Sequence, residues 1–290
     1  MRLILHLGAH GTDDGLIAGW IARNRGALGS MGIAAPEPQD FVTRVAKALD
    51  VAAKHEPLAR EEALLRGLGA SARRRWMVVS APDLLGPATD VVSAEGFYAK
   101  AVVRRLSDLH SLFPRCRITV LLAVRGASAL LPRLAPQAPD FLTERLPLLA
   151  LDTLPWARLV ASLRHHLPHA RTVIWRQEDL AQVWPAVLTQ IVGPERIVPP
   201  AGLVDFAALA LGAEARVRLL RYLTRNPPRR LHQLKRMAEA FGSRYGTCAP
   251  QALPETLPAW VGVELMRLDA GYGTEWDDIC ARDGVLALRV

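Results

Sequence analysis

Leu3-Ile4-Leu5-His6-Leu7-Gly8-Ala9-His10-Gly11-Thr12-Asp13-Asp14-Gly15-Leu16-Ile17 decides how this chain folds. Leu3 to Leu7 is an apolar run broken only by His6, the pattern of a strand buried on both faces. Gly8 to Thr12 is small and turn-prone. Asp13 or Asp14 can then cap a helix whose apolar positions Ile17, Trp20, Ile21 and Leu28 recur at helical spacing. Strand, glycine-containing turn and helix together present backbone N–H groups and a helix N-terminus to a phosphate. No Gly-Lys-[Ser/Thr] closes the turn, so it is not a Walker loop.

Outward from this unit the pattern repeats. Residues 76–80 and 117–124 are further buried-strand runs, and 169–175 supplies a fourth. Helices are predicted over 41–53, 58–68, 94–113, 156–167 and 182–191, with residues 32–39 as a loop. Ser80-Ala81-Pro82-Asp83-Leu84-Leu85-Gly86 and Arg125-Gly126-Ala127-Ser128 follow two of the strands, where open parallel sheets collect ligands. Residues 131–155 are proline-rich and irregular; their apolar part, 146–154, reads as a lid or a partner surface.

The opening stretch resembles the 5′-phosphosulfate loop of bacterial sulfotransferase-like P-loop proteins, roughly His-Leu-Gly-Ala-His-[Lys/Arg]-Thr-Gly-Thr-Thr-x-Leu-Gln. His6, Gly8, Ala9, His10 and Thr12 match without a gap. Gly11 replaces the basic residue, Asp13 the glycine, and Asp14 and Gly15 the two hydroxyl residues. The turn after the second strand keeps Ser80, Asp83 and Leu84-Leu85-Gly86, but Ala81 and Pro82 stand at acidic positions of the family. Residues 155–180, ending Trp175-Arg176-Gln177-Glu178-Asp179-Leu180, resemble the family's Tyr-Glu-Asp-Leu region. There Glu178 or Asp179 reads as the cap of the following helix.

The resemblance implies a site for 3′-phosphoadenosine-5′-phosphosulfate (PAPS) or its product (PAP). Its residues would be Gly8, Ala9, His10, Gly11, Thr12, Asp13, Asp14 and Gly15, with His10 as the candidate catalytic helper. Arg125, directly after its strand, would hold the 3′-phosphate; Pro132 stands where the family has its later serine, and Ser128 is near enough to substitute. The acceptor would be a small molecule or a glycan. Two carboxylates nevertheless stand where the phosphate would lie. At about 4 Å and an effective dielectric near 20, each like-charge contact costs on the order of 4 kcal/mol. A helix N-terminus returns only about 0.3–1 kcal/mol per anion.

Composition sets the outer bounds. The 290 residues, half of them hydrophobic, suffice for one large α/β core. No apolar run reaches the ~18 residues of a membrane span, and the first run is too short for a signal peptide. A bacterial cytoplasmic protein is the default expectation. Cys116, Cys248 and Cys280 lack disulfide or zinc-ligand spacing and read as buried free thiols. His165, His166 and His169 are split between helix faces and the far side of Pro168, so no metal cofactor is expected. Residues 213–244 hold nine basic and two acidic side chains, on two helices broken at Asn226-Pro227-Pro228. No helix-turn-helix spacing or aromatic interleaving is visible there, and a solvated face is the plain reading. Residues 257–278 read as a helix with an ending near Tyr272-Gly273, and residues 283–288 as an edge strand.

The expected fold is α/β: a three-layer parallel sheet of P-loop NTPase/sulfotransferase type with helical additions. It forms one domain over residues 1–290, mainly helical from 200 to 290. Three functions are open: a degenerate family member acting through binding, with a possible protein partner; an active PAPS-dependent sulfotransferase; and a basic nucleic-acid-binding protein using residues 213–244.

Overall fold

The run that opens the chain forms β1 (Arg2–His6), and the chain wraps both faces of the sheet built around it. The computed structural model describes residues 1–51, 56–93, 96–134, 156–248 and 259–290. From β1 the chain passes through α1 (Leu16–Arg23) and α2 (Arg25–Ser30) to β2 (Ile33–Ala34), then α3 (Pro38–Asp50) and α4 (Pro57–Gly67) to β3 (Trp76–Ser80). A hairpin of β4 (Val92–Ser93) and β5 (Gly96–Phe97) precedes α5 (Ala99–Leu112) and β6 (Arg117–Val124). Next come α6 (Ala127–Leu134), α7 (Trp156–His166), β7 (Arg171–Arg176), α8 (Leu180–Val192) and α9 (Leu203–Ala207). The described chain ends with α10 (Ala213–Arg225), α11 (Leu231–Tyr245), α12 (Ala259–Cys280) and β8 (Val285–Leu288).

Six strands form one all-parallel sheet in the order β2-β3-β1-β6-β7-β8. Leu5 of β1 pairs with Val79 on one side and Val120 on the other. Because side chains alternate across a pleat, Leu3, Leu5 and Leu7 enter one core, while Ile4 enters the other. With helices on both faces no alternation of polar residues is needed, which is why β1, β3 and β6 read as nearly continuous apolar runs. Residues of α3 to α7 and α12 fill the first core; those of α1, α2 and α8 to α11 fill the second. Crossovers that step toward β2 use the second face and those that step toward β8 end on the first, the regularity that right-handed connections impose.

Several boundaries differ from the sequence reading. Residues 32–39 include the two-residue edge strand β2, too short for periodicity to reveal. The helix expected from residue 94 begins at Ala99, after the β4–β5 hairpin. The helix expected to end near Tyr272-Gly273 runs on to Cys280, its glycines absorbed mid-helix. The apolar stretch 146–154 lies outside the described residues. None of the three cysteines is fully buried: Cys116 and Cys280 are half-buried and Cys248 is exposed. Burial and the neighbouring Glu61 push the Cys116 thiol up to about 12.

Trp20 fastens the first crossover. It is fully buried, and its indole N–H donates to Pro199 O at 3.1 Å. One turn on, Asn24 donates to Trp20 O and Ala201 O and accepts from Ala201 N. Trp20→Ala is therefore expected to lower the unfolding free energy by about 3–5 kcal/mol. Trp20→Phe, which keeps a ring and loses the hydrogen bond, should cost about 1–2 kcal/mol. Urea midpoints at constant m-value test both.

Candidate functional site

The loops after β1 and β6 leave neighbouring strands for opposite faces of the sheet, so the chain parts between them at the carboxyl edge. This is the switch-point geometry at which open α/β sheets bind ligands. The predicted loop, Gly8 to Gly15, occupies one wall and Arg125 the other. Gly8 is required by packing: a Cβ there would lie 2.5 Å from His6 Nε2, and that imidazole is buried beneath the loop. Gly11 (φ +73°) and Gly15 (φ +75°) take left-handed conformations that other residues rarely adopt. Thr12 Oγ1 donates inward to Ala9 O at 2.5 Å, closing the turn on itself.

The two aspartates are both engaged. The Asp13 carboxylate accepts the N–H of Ile17 at 2.9 Å and of Gly15 at 3.2 Å, and so sits on the N-terminus of α1. Asp14, with φ +50°, turns outward to an ion pair with Arg133 of α6. Arg125 reaches the loop, where it donates to the carbonyls of Gly11 (2.8 Å) and Thr12 (3.4 Å). Burial and the nearby Arg133 lower its pKa from the ordinary guanidinium value, and it remains a cation.

Ser128 is turned to α12, where its hydroxyl donates to Asp269 and its N–H lies 3.3 Å from the same carboxylate. Glu178 is not a helix cap. It crosses the carboxyl edge to accept Gly126 N–H at 3.0 Å and the Tyr272 hydroxyl at 3.3 Å. Asp179 stands at the N-cap of α8 without a side-chain capping bond and pairs instead with Arg176 at 2.8 Å. Burial, reinforced by Glu178, raises the Tyr272 phenol well above its usual range.

His10 meets two partners that spacing did not reveal. Its backbone N–H donates to Tyr98 Oη at 2.9 Å, and its Nδ1 lies 2.9 Å from the same oxygen. Burial raises the Tyr98 phenol above its usual range, and His10 Nε2 lies 3.0 Å from Asp83 Oδ1. Tyr98 has a left-handed backbone (φ +57°) where α5 begins, a rare conformation for an aromatic residue. Both nitrogens of His10 are thus occupied and its side chain is only 7% exposed; the open end of the relay is Asp83, 67% exposed. Beside Arg125, a cleft of about 470 Å³ opens between α7 and α12, lined by Phe97, Trp156, Arg267, Tyr272 and Glu275.

Among the described residues no group of His, Cys, Asp and Glu could hold a metal ion, and no helix is long and apolar enough to cross a membrane. Set beside known proteins, the chain matches no family model, no curated protein and no solved structure.

Two outcomes follow from His6. Gly8→Ala would force its ring aside in a closed core, so a loss of about 1–3 kcal/mol is expected in urea unfolding. Burial also lowers the His6 pKa from its ordinary 6.5. Unfolded His6 therefore takes up a proton at higher pH than folded His6. Its contribution to stability is complete above about pH 6.5 and is lost as pH falls toward the folded value, at up to about 1.4 kcal/mol per pH unit. His6→Gln should flatten that part of the stability profile, measured by urea unfolding across the range.

Proposed function

We propose that this chain is a sulfotransferase-like P-loop protein whose nucleotide loop has closed on itself, and that it acts through binding rather than sulfuryl transfer. The observation that carries this reading is the Asp13 carboxylate on the Gly15 and Ile17 N–H groups. A carboxylate of the chain stands where the family's loop would offer its donors to a phosphosulfate. The placement of the parts supports the family: a turn from the central strand into a helix, with Arg125 beside it at the end of the adjacent strand. The donor set does not fit the ligand. Asp13 and Asp14 add negative charge at the loop, Arg125 is held by its carbonyls, and Ser128 is held by Asp269. The active-transferase reading would need these contacts to open together and His10 to exchange one of its partners for an acceptor hydroxyl.

Calorimetric titration with adenosine 3′,5′-bisphosphate tests this. No heat is expected at millimolar ligand. Asp13→Gly with Asp14→Asn removes both carboxylates while respecting the left-handed backbone at residue 14, and measurable affinity is expected to appear. Micromolar binding by the unaltered chain, abolished in Arg125→Ala, would overturn the reading in favour of an active PAPS-dependent enzyme.

A further inference from the structure

The α10–α11 hairpin carries a surface that shares no residue with the carboxyl-edge loop. Between Ala213 and Arg244 lie all but one of the chain's net positive charges. Arg216, Arg218 and Lys235 have acidic partners at 3.5, 2.7 and 3.7 Å. Arg221, Arg225, Arg229, Arg230, Arg236 and Arg244 have no acid within 4 Å among the described residues. Each of these is exposed to solvent.

Folding also assembles what the sequence kept apart. Tyr222 of α10 meets Phe241 of α11 with ring centroids 5.5 Å apart, and Phe241 meets Tyr245 at 5.6 Å. Arg218 and Arg244 lie over the Tyr245 ring at 4.7 and 5.5 Å. Arg218, Tyr222 and Arg225 recur at i, i+4 and i+7, so they share one stripe of α10 beside this aromatic row. Tyr222 of that stripe is 41% exposed.

We infer that this hairpin face binds single-stranded nucleic acid. Unpaired arginines supply attraction to a phosphate backbone, and an exposed ring at the end of an aromatic row that guanidinium groups cover at its other end is a stacking platform for unpaired bases. A membrane surface is a poorer match. An interfacial helix needs a broad apolar face, whereas the apolar stripe of α10 (Ala215, Leu219, Leu223) is buried in the core and only Val217 and Leu220 stand among its outward arginines. Duplex DNA keeps its bases stacked and leaves the aromatic row without a partner.

Fluorescence anisotropy of a labelled mixed-sequence single strand, titrated with the full chain, tests the inference. Binding should weaken steeply from about 50 to 200 mM salt. Tyr222→Ala should weaken it about tenfold and Tyr222→Phe should retain it, because the ring rather than the hydroxyl is used. Arg221→Gln with Arg225→Gln, both exposed, should reduce the log–log salt slope by about 1.4 without changing the circular-dichroism melting curve. Three results would each overturn the inference: no anisotropy change at any salt, equal affinity in Tyr222→Ala, or binding to duplex or to phosphatidylserine vesicles as tight as to the single strand.

Discussion

β1 is hydrogen-bonded to a parallel neighbour on each side and covered by helices on each face, so its carboxyl end emerges inside the protein. The chain must then climb from the core to the surface within the few residues before α1. That constraint explains the composition of the loop. A buried imidazole at position 6 leaves no room for a Cβ at Gly8, and the left-handed turns at Gly11 and Gly15 bring the backbone round into the helix. His6 Nδ1 is matched by Ser80 of the adjacent strand at 2.8 Å, while its Nε2 has no partner among the described residues. Such a group is tolerable when neutral and costly when charged, which is why burial holds the imidazole below its ordinary pKa.

The carboxylates at the carboxyl edge are matched from within the chain. Asp13 is met by backbone N–H groups, Asp14 by Arg133, Asp179 by Arg176, and Glu178 by Gly126 N–H and Tyr272. Arg125 answers two carbonyls. Arg125 Nε and Arg133 Nε have no hydrogen-bond partner among the described residues, but an anion that takes the N–H groups of Gly15 and Ile17 must displace Asp13, and a partly buried group left unpaired costs about 1–3 kcal/mol. Within the stretch that resembles a nucleotide loop, the N–H groups of His10, Thr12 and Gly15 have acceptors inside the chain. The matching is local for Asp13 and Asp179 and long-range for Asp14 and Glu178, so it required both the loop's sequence and the packing of α6 and α12 around it.

What was legible in the sequence follows the range of the interactions. β3 and β6 were placed to the residue, because a strand buried on both faces writes its whole length as apolar residues. β2 was not, because two residues carry no period. Asp13 at the start of α1 was readable from its position before the apolar helix. Glu178 was misread as a cap, because nothing local announces a side chain that crosses to Gly126, 52 residues earlier. The pairing of His10 with Tyr98 spans 88 residues, and the φ of Tyr98 that aims its hydroxyl is invisible to composition. The aromatic row was missed for the same reason: Tyr222 and Phe241 are neighbours only after Asn226-Pro227-Pro228 folds α11 back along α10.

The distribution of free charge separates the two regions of the molecule. At the carboxyl edge, cations sit among carboxylates and carbonyls, so their fields cancel within a few ångströms. On the α10–α11 hairpin, arginines gather with few acids, and a field of one sign extends into solvent over about a Debye length, roughly 8–10 Å at physiological salt. The stretch that resembles a phosphate-binding loop carries its charges in compensated pairs, whereas the hairpin carries most of the chain's net positive charge uncompensated.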